Sequence, residues 1–593
     1  MKTRKMISLA LCLMMLLSVM VLFGCKQEGP GSDSTVELSY WIPVGEDTTY
    51  YMSYEENPAV KYLETLEYNG RKVDLSFMVP LVGSERDNFN TLLATDEYAD
   101  ILNMSFATSS PVEMLEDDII YDLTPYVEEY MPNYMKIIEN NPLMASYMYS
   151  IVDGEKRILS IYAFTEEVLG NFMGYLYRRD WVAKYGTHPT TGKPFTYSLT
   201  DPNDKESWTD DVVFPSGGAD PVYISDWEWM FEIFEKAHAD LGITDGYMTS
   251  LFFKGHSEVG GLNSSFGGGN SNWYLDPDGN AAFGGDNNSL RTYLECMNTW
   301  YKNGWLDKGF AERTSDQIFS IDSANIHAGK VGLWTGRRAE TGAQMDNGDE
   351  LTSGIMVYGA RFPINDVYGT DAEKMKEPDS FHQYSQLRGS NVITKKVAEE
   401  DLPTILSFLD YLYTDEGGAL MCFGLTKEQY EEVKDETYTK YNLTNGAYRV
   451  EQQADGSKKY IRDESLISDN NLASAMAAKR MAIGYYAKGF VPALNASYLP
   501  NARNAMAEWD YYINKGTPDR MIRLQFTPEE SALFGKVYAN VDTHMASNLP
   551  KFIKGSLDIK SDEDWQNYSK MLSKYSPEKV TAIYQRLFDL LSK

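Results

Sequence analysis

An α/β fold built on a parallel sheet is predicted by four neighbouring features near the amino-terminal end. Val36 to Ile42 (VELSYWI) reads as a first strand that breaks at a Pro-Val-Gly turn. Arg71 to Val79 alternates, with Val73, Leu75, Phe77 and Val79 on one face, as a half-buried strand requires. Between Ser84 and Leu93 the spacing turns helical, with Ser84 as N-cap, Asp87 at its third position and Phe89, Leu92 and Leu93 as the apolar stripe. Asp100 to Met104 (DILNM) is then a short buried strand. Strand, helix, strand in that order implies parallel pairing, with ligand loops at the strand carboxyl ends.

The segment before the first strand reads as an export signal. Lys2, Arg4 and Lys5 precede an almost wholly apolar run from Met6 to Phe23, the n-region and h-region of a secretory leader. A retained anchor helix is the competing reading, since the run is barely long enough to span a bilayer. Leu22-Phe23-Gly24-Cys25 resembles the lipobox of bacterial lipoproteins, which implies acylation of Cys25 and removal of residues 1–24 as a signal peptide. Residues 25–35, rich in Gly, Ser and Pro, read as a flexible tether.

Further along, residues 158–178 are apolar and aromatic, and residues 186–226 are rich in Gly, Pro, Asp and Thr, as an irregular surface insertion is. Asp226 to Leu241 returns to helical periodicity through Trp229, Ile233 and Phe234. A Gly/Ser/Asn loop over 260–272 ends in Trp273-Tyr274, which predicts exposure of those two rings. Leu290, Tyr293, Leu294, Met297 and Tyr301 mark a helix closed by Gly304. Leu402, Ile405, Leu406, Leu409 and Leu412 mark another. Thr527-Pro528-Glu529-Glu530 is a capping box ahead of Phe534, Val537, Val541 and Met545.

Composition narrows the function. With 54 Lys and Arg against 86 Asp and Glu over 593 residues, the formal net charge is −32. That argues against nucleic acid, whose phosphates need clustered cations, and against docking to anionic lipid. Membrane contact is therefore expected through the amino-terminal lipid only. Aromatic residues reach 13%, with 42 Tyr and 11 Trp, which suits either a large core or stacking platforms for sugar rings. After Cys25 only Cys296 and Cys422 remain in the exported chain. Two buried thiols are favoured over a disulfide between them.

FNTLLATDEYADILN (89–103), YRRDWVAKYGTHPTT (177–191), NWYLDPDGNAAFG with YLECMNTWYKNGWLDKGF, HAGKVGLWTG (327–336), SNVITKKV with FLDYLYTDEGGALMCFGL (390–425) and FTPEES…KFIKG…DWQNYSKML resemble, in that order, segments of the extracellular solute-binding proteins that serve ATP-driven sugar importers. The resemblance implies an α/β, two-lobe periplasmic-binding-protein-like fold (type II) with hinged lobes. The divisions expected are 36–165 as the first part of lobe 1, 166–385 as lobe 2 with an insertion at 192–226, 386–430 returning to lobe 1, and 431–593 as a helical region completing lobe 2. It also implies a monomer that captures a carbohydrate, an oligosaccharide in particular, and delivers it to ABC-transporter permease subunits on the outer face of the cell membrane. Some members carry an Asp/Asn/Gly calcium loop; the corresponding Leu241 to Gly246 holds too few oxygen ligands, so no metal or other cofactor is expected.

Ligand contacts are sought where a parallel sheet places its loops. Trp41 ends the first strand, where a core ring and a stacking platform are equal readings, and the family position favours the cleft. Ser105 follows the strand at 100–104 and can bond a hydroxyl. Trp273 and Tyr274 follow the Gly-rich loop; Trp334 lies in a strand-like GLW, where a core position is the alternative; and Trp509 sits beside Tyr511 and Tyr512, where helix packing is the commoner role. Arg337 occupies a position where the family often contacts ligand, and its planar guanidinium suits vicinal hydroxyls or a carboxylate.

An enzyme is the main rival reading. The six histidines show no metal-site spacing, and H-E-x-x-H, the paired-Cys motif, the Walker loop and G-x-S-x-G are all absent. A glycosidase needs only two carboxylates, so a secreted carbohydrate-active enzyme stands as one alternative, and a peptide or other nutrient as ligand is the second.

Overall fold

The computed structural model describes residues 35–45, 49–140, 148–166, 173–201, 207–251, 262–269, 272–276, 278–312, 324–337, 354–371, 373–378, 387–487, 489–494, 500–514 and 526–591. Cys25, the leader and most of the tether lie outside these. The chain enters through β1 (Thr35–Trp41), β2 (Lys72–Met78) and β3 (Ile101–Asn103), passes a hairpin of β4 (Ser150–Val152) and β5 (Glu155–Arg157), and reaches β6 (Ile161–Thr165). Next come β7 (Met173–Arg178), the hairpin β8 (Tyr197–Leu199) and β9 (Trp208–Asp210), the pair β10 (Trp273–Leu275) and β11 (Ala281–Phe283), β12 (Leu333–Arg337) and β13 (Val357–Ala360). Then follow β14 (Leu387–Ile393), the hairpin β15 (Tyr448–Gln452) and β16 (Lys458–Arg462), and β17 (Tyr485–Tyr486).

Two sheets organise two separate cores. The larger has the order β17-β6-β14-β3-β1-β2, with β1 parallel to both β2 and β3. Leu38 and Tyr40 of β1 face one core, shared with Ile405 and Leu409 of the helix Leu402–Tyr411. Trp41 faces the opposite core with Phe89 of the helix Glu85–Thr95. Both faces are covered, as parallel strands require. The smaller sheet, β12-β7-β13, is antiparallel. Tyr175 and Tyr177 join the large second-lobe core, while Leu176 points to the other face with Trp334 and Trp509. Among the described residues the two sheets share no strand, and each packs against its own helices and core. The molecule therefore has two lobes.

The chain passes between them three times: from β6 to β7, from β13 to β14, and from β17 to the helix Pro500–Trp509. β14 runs antiparallel to β3 and β6, and β17 runs parallel to β6. The carboxyl ends of β1, β2, β3, β6 and β17 and the amino end of β14 thus share one edge of the large sheet. All three crossings use that edge. In the small sheet the matching edge holds the amino end of β7 and the carboxyl ends of β12 and β13, since Arg337 pairs with Met173 and Ala360 with Tyr175. A separate apolar contact also bridges the lobes, between Ile151 of β4 and Leu587 of the helix Pro577–Leu591.

Four expectations are corrected. Residues 431–494 do not complete the second lobe. Tyr438, Leu443, Leu466 and Met476 are buried in the first-lobe core, and Asn57 Nδ2 donates to the Ala475 carbonyl at 2.9 Å. β15 and β16 pack on Phe423 and Phe490, and β17 joins the large sheet, so only the chain from the helix Pro500–Trp509 onward belongs to the second lobe. The region 192–226 is not merely a surface loop, because Phe195, Trp208, Val212 and Phe214 are buried in the second core. Ser84 does not cap its helix; its Oγ donates to the Leu81 carbonyl at 2.7 Å. Val79 is exposed rather than on the buried face of β2. By contrast Gly304 closes its helix in the left-handed region and Thr527 forms the capping box. Cys296 and Cys422 are buried in different lobes and are not bonded to each other.

Candidate functional site

The facing edges of the two sheets form the candidate site. Of the predicted contacts, Ser105 and Arg337 lie there, one on each side. Ser105 is exposed just beyond β3, its amide donating to Asn103 Oδ1 at 3.0 Å. Arg337 is exposed at the carboxyl end of β12.

The five aromatic candidates are core residues instead. Trp41 is fully buried, with Nε1 donating to Asn88 Oδ1 at 2.9 Å and the ring edge-on to Phe89. It sits at the end of β1 as predicted, but alternation turns its ring under the helix Glu85–Thr95 rather than toward the loops. Trp273 and Tyr274 are buried in β10. Trp273 Nε1 donates to the Pro577 carbonyl at 3.3 Å, and the ring packs on Phe283 and Phe534. Glycine in the preceding loop serves close approach rather than exposure, because a Cβ on Gly269 would meet the Tyr274 ring at 2.1 Å. Trp509 lies across Gly174, and its Nε1 donates to the Tyr175 carbonyl at 2.8 Å. Trp334 is 2% exposed in the same cluster, and its Nε1 has no hydrogen-bond partner among the described residues.

Other groups at the two edges were missed by the sequence reading. On the first lobe, Asn103 is buried at the end of β3, and its Nδ2 has no hydrogen-bond partner among the described residues. Tyr485 of β17 stacks on Phe164 of β6 at 6.1 Å and donates from Oη to Glu166 Oε2 at 2.5 Å. That bond ties two of the three crossings together where they leave the sheet. On the second lobe, Arg361 follows β13 directly. Its guanidinium bonds Glu508 at 2.7 Å and lies 3.6 Å over the Tyr511 ring. Burial pushes the Glu508 carboxyl up, and Arg361 offsets part of that. Burial also opposes the Arg361 charge, and Glu508 more than compensates. Glu508 and Tyr511 come from the chain that follows the third crossing, over 100 residues from Arg361, so no local motif could have revealed the set.

The edges thus offer hydroxyl, amide, guanidinium and aromatic groups. Among the described residues no three His, Cys, Asp or Glu side chains are placed to hold a metal ion.

No family profile and no curated protein matches this chain. Solved structures do. The calcium-free alginate-binding protein AlgQ2 is 16% identical over 94% of this chain and 98% of its own, with a TM-score of 0.58. The FusA substrate-binding protein of an S. pneumoniae ABC transporter, in complex with kestose, is 14% identical over 94% and 99%, with a TM-score of 0.57. An HMO-binding, ABC-transporter-associated solute-binding protein from Bifidobacterium longum infantis is 13% identical over 95% and 100%, with a TM-score of 0.60. This chain has the two-lobe fold of those proteins.

Proposed function

We propose that this chain, built on the two-lobe fold of the solute-binding proteins, captures an oligosaccharide between its lobes and delivers it to the permease subunits of an ABC importer. The observation that carries this reading is the pair of facing edges that share all three crossings. Ser105 and Tyr485 stand on one, and Arg337, Arg361 and Tyr511 on the other. Sugar rings need flat apolar faces beside hydrogen-bonding groups. Closure around a ligand is the transition such a hinged pair performs, and it is driven by tighter binding to the closed state. The neighbours named for alginate, kestose and HMO support the ligand class.

Capture is the whole activity in this reading; no bond is made or broken and no cofactor takes part. The chain acts as a monomer on the outer face of the cell membrane, held by lipid on Cys25. Among the described residues no helix is long and apolar enough to cross a membrane.

Calorimetry of residues 26–593 against a glycan library tests the proposal. Saturable binding of an oligosaccharide without product release is expected. Steady hydrolysis of the bound glycan, or binding of peptides alone, would overturn it. Cys25→Ser is expected to release the protein into the medium; unchanged membrane retention contradicts the anchor.

A further inference from the structure

Strands β8 and β9 and the helix Arg179–Tyr185 border a cavity of about 300 Å³ whose walls include Trp181, Lys184, Tyr185, Tyr197 and Trp208. It adjoins Arg178, at the carboxyl end of β7. The interlobe edge holds the amino end of that strand, about 17 Å away at ~3.3 Å per residue. The cavity is therefore separate from the candidate cleft.

One ring stands out. Tyr197 is 46% exposed, although it stacks on Trp208 with centroids 5.3 Å apart and planes 21° from parallel. Trp208 is buried, and its Nε1 donates to Asp210 Oδ2 at 2.6 Å. Asp210 is in turn held by both guanidinium arms of Arg179, at 2.9 and 2.5 Å. Tyr197 is thus an apolar face on a fixed base. Beside it Lys184 Nζ donates to Tyr185 Oη at 2.7 Å, and Tyr185 Oη donates to Asp240 at 2.9 Å. Three ion pairs stand around the cavity: Arg178 with Asp180, Arg179 with Asp210 and Lys184 with Asp240. A flat ring beside hydroxyl-bonding groups fits a sugar ring.

We infer that the Tyr197 cavity is a second saccharide site, which holds a hexose ring of a polysaccharide on the outer surface of the second lobe. Tyr197 stacks on the C–H face of the ring, and Lys184 and Tyr185 bond its hydroxyls. The site extends the proposed function, because it would keep the protein on a polymer while the cleft takes shorter chains.

Affinity electrophoresis of the full-length protein through gels containing starch, a fructan, a mannan or a β-glucan tests this. At least one polymer should retard the parent protein, Tyr197→Ala should bind it roughly tenfold more weakly, and Tyr197→Phe should retain it. Arg361→Ala, in the cleft, should leave the retardation unchanged. No retardation by any of the four, or Tyr197→Ala migrating as the parent does, overturns the inference. Retardation that depends on Tyr197 in a protein showing no calorimetric binding of oligosaccharides would sustain this site and sink the cleft reading instead.

Discussion

Arg179 and Asp210 form a two-armed ion pair whose side chains are only 3% and 4% exposed. Arg179 also donates to Tyr177 Oη at 3.0 Å and lies over the Tyr358 ring. The pair staples β9 to the end of β7, and so fixes β9 and its partner β8 on the second lobe. It shows why a Gly- and Pro-rich stretch packs as a hairpin instead of standing free.

Asp210→Asn leaves a buried guanidinium without its counter-charge, which costs about 3–5 kcal/mol. Urea unfolding of the second lobe should shift accordingly. The double variant Arg179→Met with Asp210→Leu should lose less than either single change, because it removes both desolvated charges.

The same pair sets an acid limit. Burial alone would raise the Asp210 carboxyl, but the Arg179 guanidinium, the Trp208 indole and the Val212 amide hold it below its ordinary 3.8. A carboxylate with a depressed folded pKa contributes its full stability above the unfolded value, and loses it as pH falls through the folded one. The stability gap between the parent and Asp210→Asn should be constant above pH ~5 and shrink below pH ~4. A gap unchanged by acid would refute the assignment.

Trp509 distinguishes a core tryptophan from a stacking platform. Trp509→Ala should cost about 3–5 kcal/mol, while Trp509→Phe should retain oligosaccharide affinity at a lower melting temperature. Gly174→Ala should destabilise by about 1–3 kcal/mol, since the new Cβ would meet the Trp509 ring at 2.4 Å. A large loss of affinity with unaltered stability in Trp509→Phe would return this residue to the ligand.

Arg361 is expected to matter to binding. Its guanidinium is fixed by Glu508 and Tyr511 at the cleft edge, so it can bond sugar hydroxyls without first being ordered. Arg361→Ala should weaken oligosaccharide binding roughly tenfold or more, measured by calorimetry, and Arg361→Lys should recover little.

Strand and helix signals in the sequence located the frame well, because they are local. The alternation of Val73 and Leu75, the stripe from Leu290 to Tyr301 and the box at Thr527 each appear where expected. The lobe to which residues 431–494 return was not legible, since their burial depends on distant partners such as Asn57 and Phe164. The site suffered most for the same reason. Trp41 and Trp509 are aromatic at suggestive positions, but strand alternation and a facing glycine decide where their rings point. Arg361, Glu508 and Tyr511 meet only after the chain has crossed between lobes and back.

Small-angle scattering of residues 26–593, with and without the oligosaccharide bound most tightly in calorimetry, tests the central claim most directly. Capture between hinged lobes predicts a smaller radius of gyration when ligand is bound, with the sugar recovered intact. Saturation with no change in radius, or recovery of cleaved sugar, would contradict it.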